Sequence, residues 1–126
     1  MGTEDTAGIS LARVLVNQAW SHPMTDEPLQ EARDVLENAL KLYPDHVATL
    51  TCLGAVLCDL RLHSDARAVL ERAVRLGSTD RNTFFNLFVA MLGQTTRDEA
   101  HAVLDRGVHL ERDESTWEAY FDPHAQ

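Results

Sequence analysis

The residues able to do chemistry in this 126-residue chain are six histidines, two cysteines and twenty carboxylates. The histidines, His22, His46, His63, His101, His109 and His124, read as turn or exposed helical positions. The pair His101 and His109, eight residues apart on one helix, would stand about 12 Å apart, too far to share a metal directly. Cys52 and Cys58 are six apart, which on a helix is about 9 Å of rise and about 120° of rotation, so they cannot pair with each other. They read as small, buried, unreactive thiols in a reducing compartment. No nucleophile stands at a supporting distance from a base, no two carboxylates are spaced for a cleft, and the glycines are scattered singly with no phosphate-cradling loop among them. Runs such as Arg97-Asp98-Glu99 and Glu111 to Glu114 read as solvated helix ends. The expectation is a chain that is not an enzyme and has no catalytic residues, no cofactor and no metal.

The elements that would position any binding surface must come from one ordinary domain. At this length a chain buries roughly two-thirds of the surface its unfolded form exposes, so it folds without metal or disulfide. The apolar fraction of 44% and charged fraction of 25% are those of a globular protein. A formal charge of −9 excludes nucleic acid and anionic membrane as partners, since both call for a basic patch. The charge is uneven: residues 1–46 carry 8 acidic and 3 basic groups, residues 47–80 carry 4 of each, and residues 81–114 carry 6 and 4. No run of about 18 apolar residues occurs, and the opening MGTEDTAG is acidic where a secretory signal is basic and apolar, so the expected location is the cytoplasm.

Residues 47–80 and 81–114 align over 34 positions without a gap. Leu50, Leu53, Gly54 and Leu57 form one apolar stripe, followed by Ala66, Leu70 and Ala73; Phe84, Leu87, Phe88 and Met91 are followed by Ala100, Leu104 and Gly107. Apolar positions three and four apart make each block two amphipathic helices. Thr96 with Glu99 predicts a capping box, Ser64 or Asp65 predicts the cap of the matching helix, and Gly77 predicts a left-handed close.

These residues resemble the tetratricopeptide repeat, whose pattern is a large residue, Leu-Gly, Tyr or Leu, Ala, a large apolar residue, Ala and Pro. Leu50, Leu53-Gly54, Leu57, Ala66, Leu70 and Ala73 match it, with Ser78 at the Pro position, so that Ser78→Pro is expected to be tolerated. Ala32, Leu36, Ala39 and Pro44 repeat its second half. The resemblance implies an all-α solenoid of about three helix-turn-helix repeats, near 8–46, 47–80 and 81–114, with Gly54 against Ala73. Phe88 takes a small-residue position and Gly107 an alanine position, an exchange that conserves volume if the two face each other. Residues 21–28 are longer than the family turn, and Arg112 replaces the closing Pro. Ser115 with Glu118 as a capping box, and Trp117 one turn before Tyr120 and Phe121, predict a short helix over about 115–122 that covers the end of the stack.

In the family the first helix of each repeat lines a concave groove. Carried onto this chain, the partner-binding face is Ala48, Thr51, Cys52, Ala55, Cys58 and Asp59, then Asn82, Phe85, Asn86, Val89 and Leu92. No Lys or Arg stands beside Asn86, which disfavours a clamp for a terminal carboxylate. Asn86 offers amide donors and an acceptor to a peptide backbone or to a neighbouring helix; Phe85 offers an aromatic anchor or a contact with the next repeat. The expected function is an adaptor or scaffold that holds a partner protein or peptide segment, one with some basic character. The alternative is a self-associating module that forms a homo-oligomer.

Overall fold

The computed structural model describes residues 3–21 and 24–121, with side chains from Gly8 onward. His22, His124 and Pro123 lie outside the described residues. Six helices follow one another: α1 Thr3–Ser21, α2 Glu27–Leu42, α3 Val47–Asp59, α4 His63–Arg75, α5 Arg81–Met91 and α6 Arg97–Gly107. No strand occurs among the described residues, and no helix there is long and apolar enough to cross a membrane.

Local signals set most boundaries. The Thr96 hydroxyl accepts from the Glu99 N–H at 3.2 Å, and the Asp80 carboxylate accepts from the Asn82 N–H at 2.9 Å, satisfying free donors at the starts of α6 and α5. Gly77, at φ +92°, ends α4 in the left-handed region that only glycine enters without strain. Neither Ser64 nor Asp65 caps α4: the helix begins at His63, leaving both inside its first turn, and the Ser64 hydroxyl accepts from Gln94 instead.

Helices pack in sequence, α1 on α2, α3 on α4 and α5 on α6, with α2 on α3 and α4 on α5 joining the pairs. The odd-numbered helices also touch, α1 on α3 and α3 on α5, whereas α2, α4 and α6 do not touch one another among the described residues. The odd-numbered helices therefore form one continuous layer, with the even-numbered helices beside it. Burial follows the layers. The outer helices bury only a stripe, Leu29, Ala32 and Leu36 on α2 or Ala66, Leu70 and Ala73 on α4. Helix α3 buries every residue from Thr49 to Cys58, the mark of an element covered on all sides.

The closest neighbours of two glycines show why a side chain is absent there. A Cβ on Gly54 would strike the Leu70 side chain first, and a Cβ on Gly107 would lie 2.5 Å from Phe84 Cβ. The Phe84 ring fits against α6 because Gly107 presents no side chain to it. Helix α6 stops at Gly107, so His109 is not on it.

Over 115–121, the described part of the predicted 115–122 helix, no helix forms. Residues 114 and 115 make a turn, and 116–121 are neither helix nor strand. Ser115 turns back to Asp113, with its N–H and hydroxyl donating at 2.8 and 2.7 Å, and Glu118 pairs with Arg112 at 2.7 Å. Both members of the expected capping box are engaged elsewhere.

Candidate functional site

The segment 114–121 runs across the odd-numbered layer and fills the groove. Helix α5 supplies the central grip. Asn86, wholly buried, donates one amide hydrogen to the Thr51 carbonyl of α3 at 3.3 Å and the other to the Trp117 carbonyl at 3.0 Å, and its Oδ1 accepts from the Ala119 N–H at 2.7 Å. One side chain thus bonds the main chain at two alternate residues, as a neighbouring strand would. Within the chain, Asn86 thus bonds both a neighbouring helix and the main chain of residues 117–119.

The other odd-numbered helices hold the rest of the segment. Arg13 of α1 donates to the carbonyls of Glu114 and Thr116 at 2.9 and 3.1 Å and lies over the Trp117 ring, 5.4 Å from its centroid. Asp59, at the end of α3, accepts from the Tyr120 N–H at 2.9 Å, and Cys52 donates its thiol hydrogen to the Ser115 carbonyl at 3.8 Å. At the start of α5 the Thr116 hydroxyl donates to Asp80 at 2.6 Å and accepts from Asn82 at 3.0 Å. The Asp80 carboxylate also accepts from the Asp113 N–H at 3.0 Å. Ala119 is buried, while Glu118 points outward. The Phe121 ring packs edge-on to Phe85 at 6.4 Å and against Phe88 at 5.8 Å.

Six of the residues expected to face a partner, Cys52, Asp59, Asn82, Phe85, Asn86 and Val89, stand along this segment or at its far end. Ala55 is fully buried in the core beneath it. Thr51 is not on the groove surface: its hydroxyl meets that of Thr83 at 2.6 Å in the α3–α5 contact, and its carbonyl receives Asn86. Arg13 and Asp80 are the groove residues that sequence reasoning missed. A signal for the cover itself existed, since α3 is apolar on the side that a two-helix repeat leaves open to solvent.

Burial shapes the titrations. It pushes the Asp59 carboxyl from its ordinary 3.8 up to about 6, with the Tyr120 N–H acting in the opposite sense. It also raises the Cys52 thiol well above its ordinary value and the Cys58 thiol to about 12, the latter helped by the Asp59 charge. Both thiols are free and buried, and their raised pKa leaves them poor nucleophiles; Cys52 lies against the segment, Cys58 against the Asn86 carbonyl.

The fit of the segment is incomplete. Among the described residues, two buried polar side-chain atoms have no hydrogen-bond partner, Asn82 Oδ1 and Trp117 Nε1, and both lie at the boundary between groove and segment. An unsatisfied buried group of this kind costs about 1–3 kcal/mol. Beyond Tyr120 and Phe121 the groove opens into a cavity of about 590 Å³ lined by Trp20, Leu29, Asp59, Val89 and Leu92 among others. Trp20 and Tyr120 stack at its mouth, 5.2 Å apart and each about half exposed. No protein-family model matches this chain, and a search of curated proteins finds no match to it.

Proposed function

We propose that the chain is a tetratricopeptide-type adaptor whose concave groove holds an extended segment of a partner protein. The observation that carries this reading is the Asn86 amide, which gives to one main-chain carbonyl and takes from the N–H two residues on. That grip recognises a backbone in extended form and leaves side-chain identity to the flanking pockets. The floor is partly apolar, with Arg13, Asp59 and Asp80 placed to bond main-chain and hydroxyl groups of such a ligand.

The test uses the full chain with its own segment weakened by Trp117→Gly and Ala119→Pro, the second of which deletes the N–H that Asn86 accepts. A labelled synthetic peptide with the sequence of residues 114–121 should bind this variant saturably. Adding Asn86→Ala should weaken binding by at least about tenfold, the loss expected for two main-chain hydrogen bonds. A variant that keeps its helical circular dichroism yet binds no peptide would remove the adaptor reading.

A further inference from the structure

We infer that segment 114–121 is an intramolecular stand-in for the partner, which supplies an extended segment of the same side-chain pattern and enters by displacing it. This rests on the adaptor reading above. The pattern is legible position by position from what the groove does to its present occupant. At 116 a hydroxyl is held between a carboxylate and an amide, and at 117 an aromatic ring lies under Arg13. Position 118 faces out and accepts any residue. At 119 only a small side chain fits, because Ala119 is 4% exposed and its N–H is drawn to Asn86. At 121 an aromatic ring meets Phe85 and Phe88. The partner motif is therefore hydroxyl, aromatic, any residue, small, then two aromatics, the first of them against Trp20 at the cavity mouth, running in the direction of the segment.

Two features make the occupant replaceable. It contributes no helix, and the sequential contacts of the six helices are made between the helices themselves. It also makes no hydrogen bond to Asn82 Oδ1, so a ligand that supplies a donor there gains one bond that the segment lacks. Tethering nonetheless gives the segment an effective concentration of order millimolar. A free peptide of micromolar intrinsic affinity would on that basis bind the intact chain about a thousandfold more weakly than an emptied groove. The segment sets the threshold that a partner must exceed.

The experiment compares the unaltered full chain with the Trp117→Gly, Ala119→Pro variant, and with the milder Phe121→Ala in case the first does not fold. The probe is the labelled 114–121 peptide, read by fluorescence anisotropy and by the rate at which a thiol reagent labels Cys52 and Cys58. Expected are at least about hundredfold weaker peptide binding by the unaltered chain than by the double variant and at least about tenfold faster thiol labelling of that variant. Added peptide should restore its protection, and the same peptide carrying Ala119→Leu should neither bind nor protect. Phe121→Ala should shift both readouts in the same direction by a smaller factor. Equal peptide affinity for the unaltered and altered chains would overturn the displacement inference and leave the adaptor reading standing, whereas a folded variant that binds no peptide would sink the adaptor reading itself. A peptide-free dimer of the unaltered chain with protected thiols would overturn the inference in favour of segment exchange between two copies.

Discussion

Replacing Asn86 with alanine removes three hydrogen bonds at once, to the Thr51 and Trp117 carbonyls and from the Ala119 N–H. Each bond is worth about 1 kcal/mol net, so the first figure is about 3 kcal/mol. The alternative is for segment 114–121 to stay seated with a buried Ala119 N–H unsatisfied, at about 1–3 kcal/mol for that group alone. The segment therefore lets go wherever this penalty exceeds its own docking free energy, and the measured loss is capped there. We expect a global destabilisation of about 2–3 kcal/mol and a fall in Tm of roughly 5–12 °C for a domain of this size. Segment opening should also become about 30-fold more frequent for each 2 kcal/mol, which a Cys52 labelling time course reads directly. Asn86→Asp should do worse than alanine, because it keeps the acceptor but adds an unpaired buried charge and loses both donors. Thermal melts and labelling rates of Asn86→Ala that coincide with those of the unaltered chain would refute the clamp.

Gly54→Ala should destabilise by about 1–3 kcal/mol in a denaturant titration, since the new methyl meets the branched end of Leu70 between α3 and α4. Ser78→Pro, which the family pattern favours, should cost about 1–3 kcal/mol. The Ser78 N–H bonds the Ala73 carbonyl at 3.1 Å and its hydroxyl contacts Thr83 at 2.7 Å and receives the Asp80 N–H at 3.2 Å, all lost with proline. Asp59 titrates at about 6 when folded against 3.8 ordinarily, so between those values the native state binds more protons and stability falls as pH rises. Asp59→Asn should abolish that fall while keeping an acceptor for Tyr120, so the stability difference between the two chains should shift by up to about 3 kcal/mol in favour of the variant from pH 4 to pH 7.

Much of the helical scaffold was legible because its causes are local and repeated. The 34-residue period, the Ala66–Leu70–Ala73 stripe, the Thr96 cap and Gly77 each act within a few residues of themselves. The segment after α6 was misread for the complementary reason. Ser115 with Glu118 and aromatics three and four apart are helix signals at short range. What overrules them is distant: Arg13 lies 101 and 103 residues from the carbonyls it holds, and Asp59 lies 61 from Tyr120. The repeat alignment puts Asn86 and Phe85 on the side of α5 where segment 114–121 lies, and the apolar open side of α3 calls for a cover, but no local pattern says which residues supply it. Thr51 was misplaced because a hydroxyl serves as well between two helices as on a surface.

Arg13 has a consequence for cooperativity. A stack in which each helix pair meets only its neighbours melts like a one-dimensional array, with end units fraying first. Here a single guanidinium on α1 holds carbonyls beyond α6, and the strap between them also touches α3 and α5. The strap thereby ties α1, α3 and α5 together across the layer. Opening one end loosens the other, so amide exchange should proceed at similar rates in α1 and α5, and Arg13→Ala should split that common behaviour into a gradient along the chain.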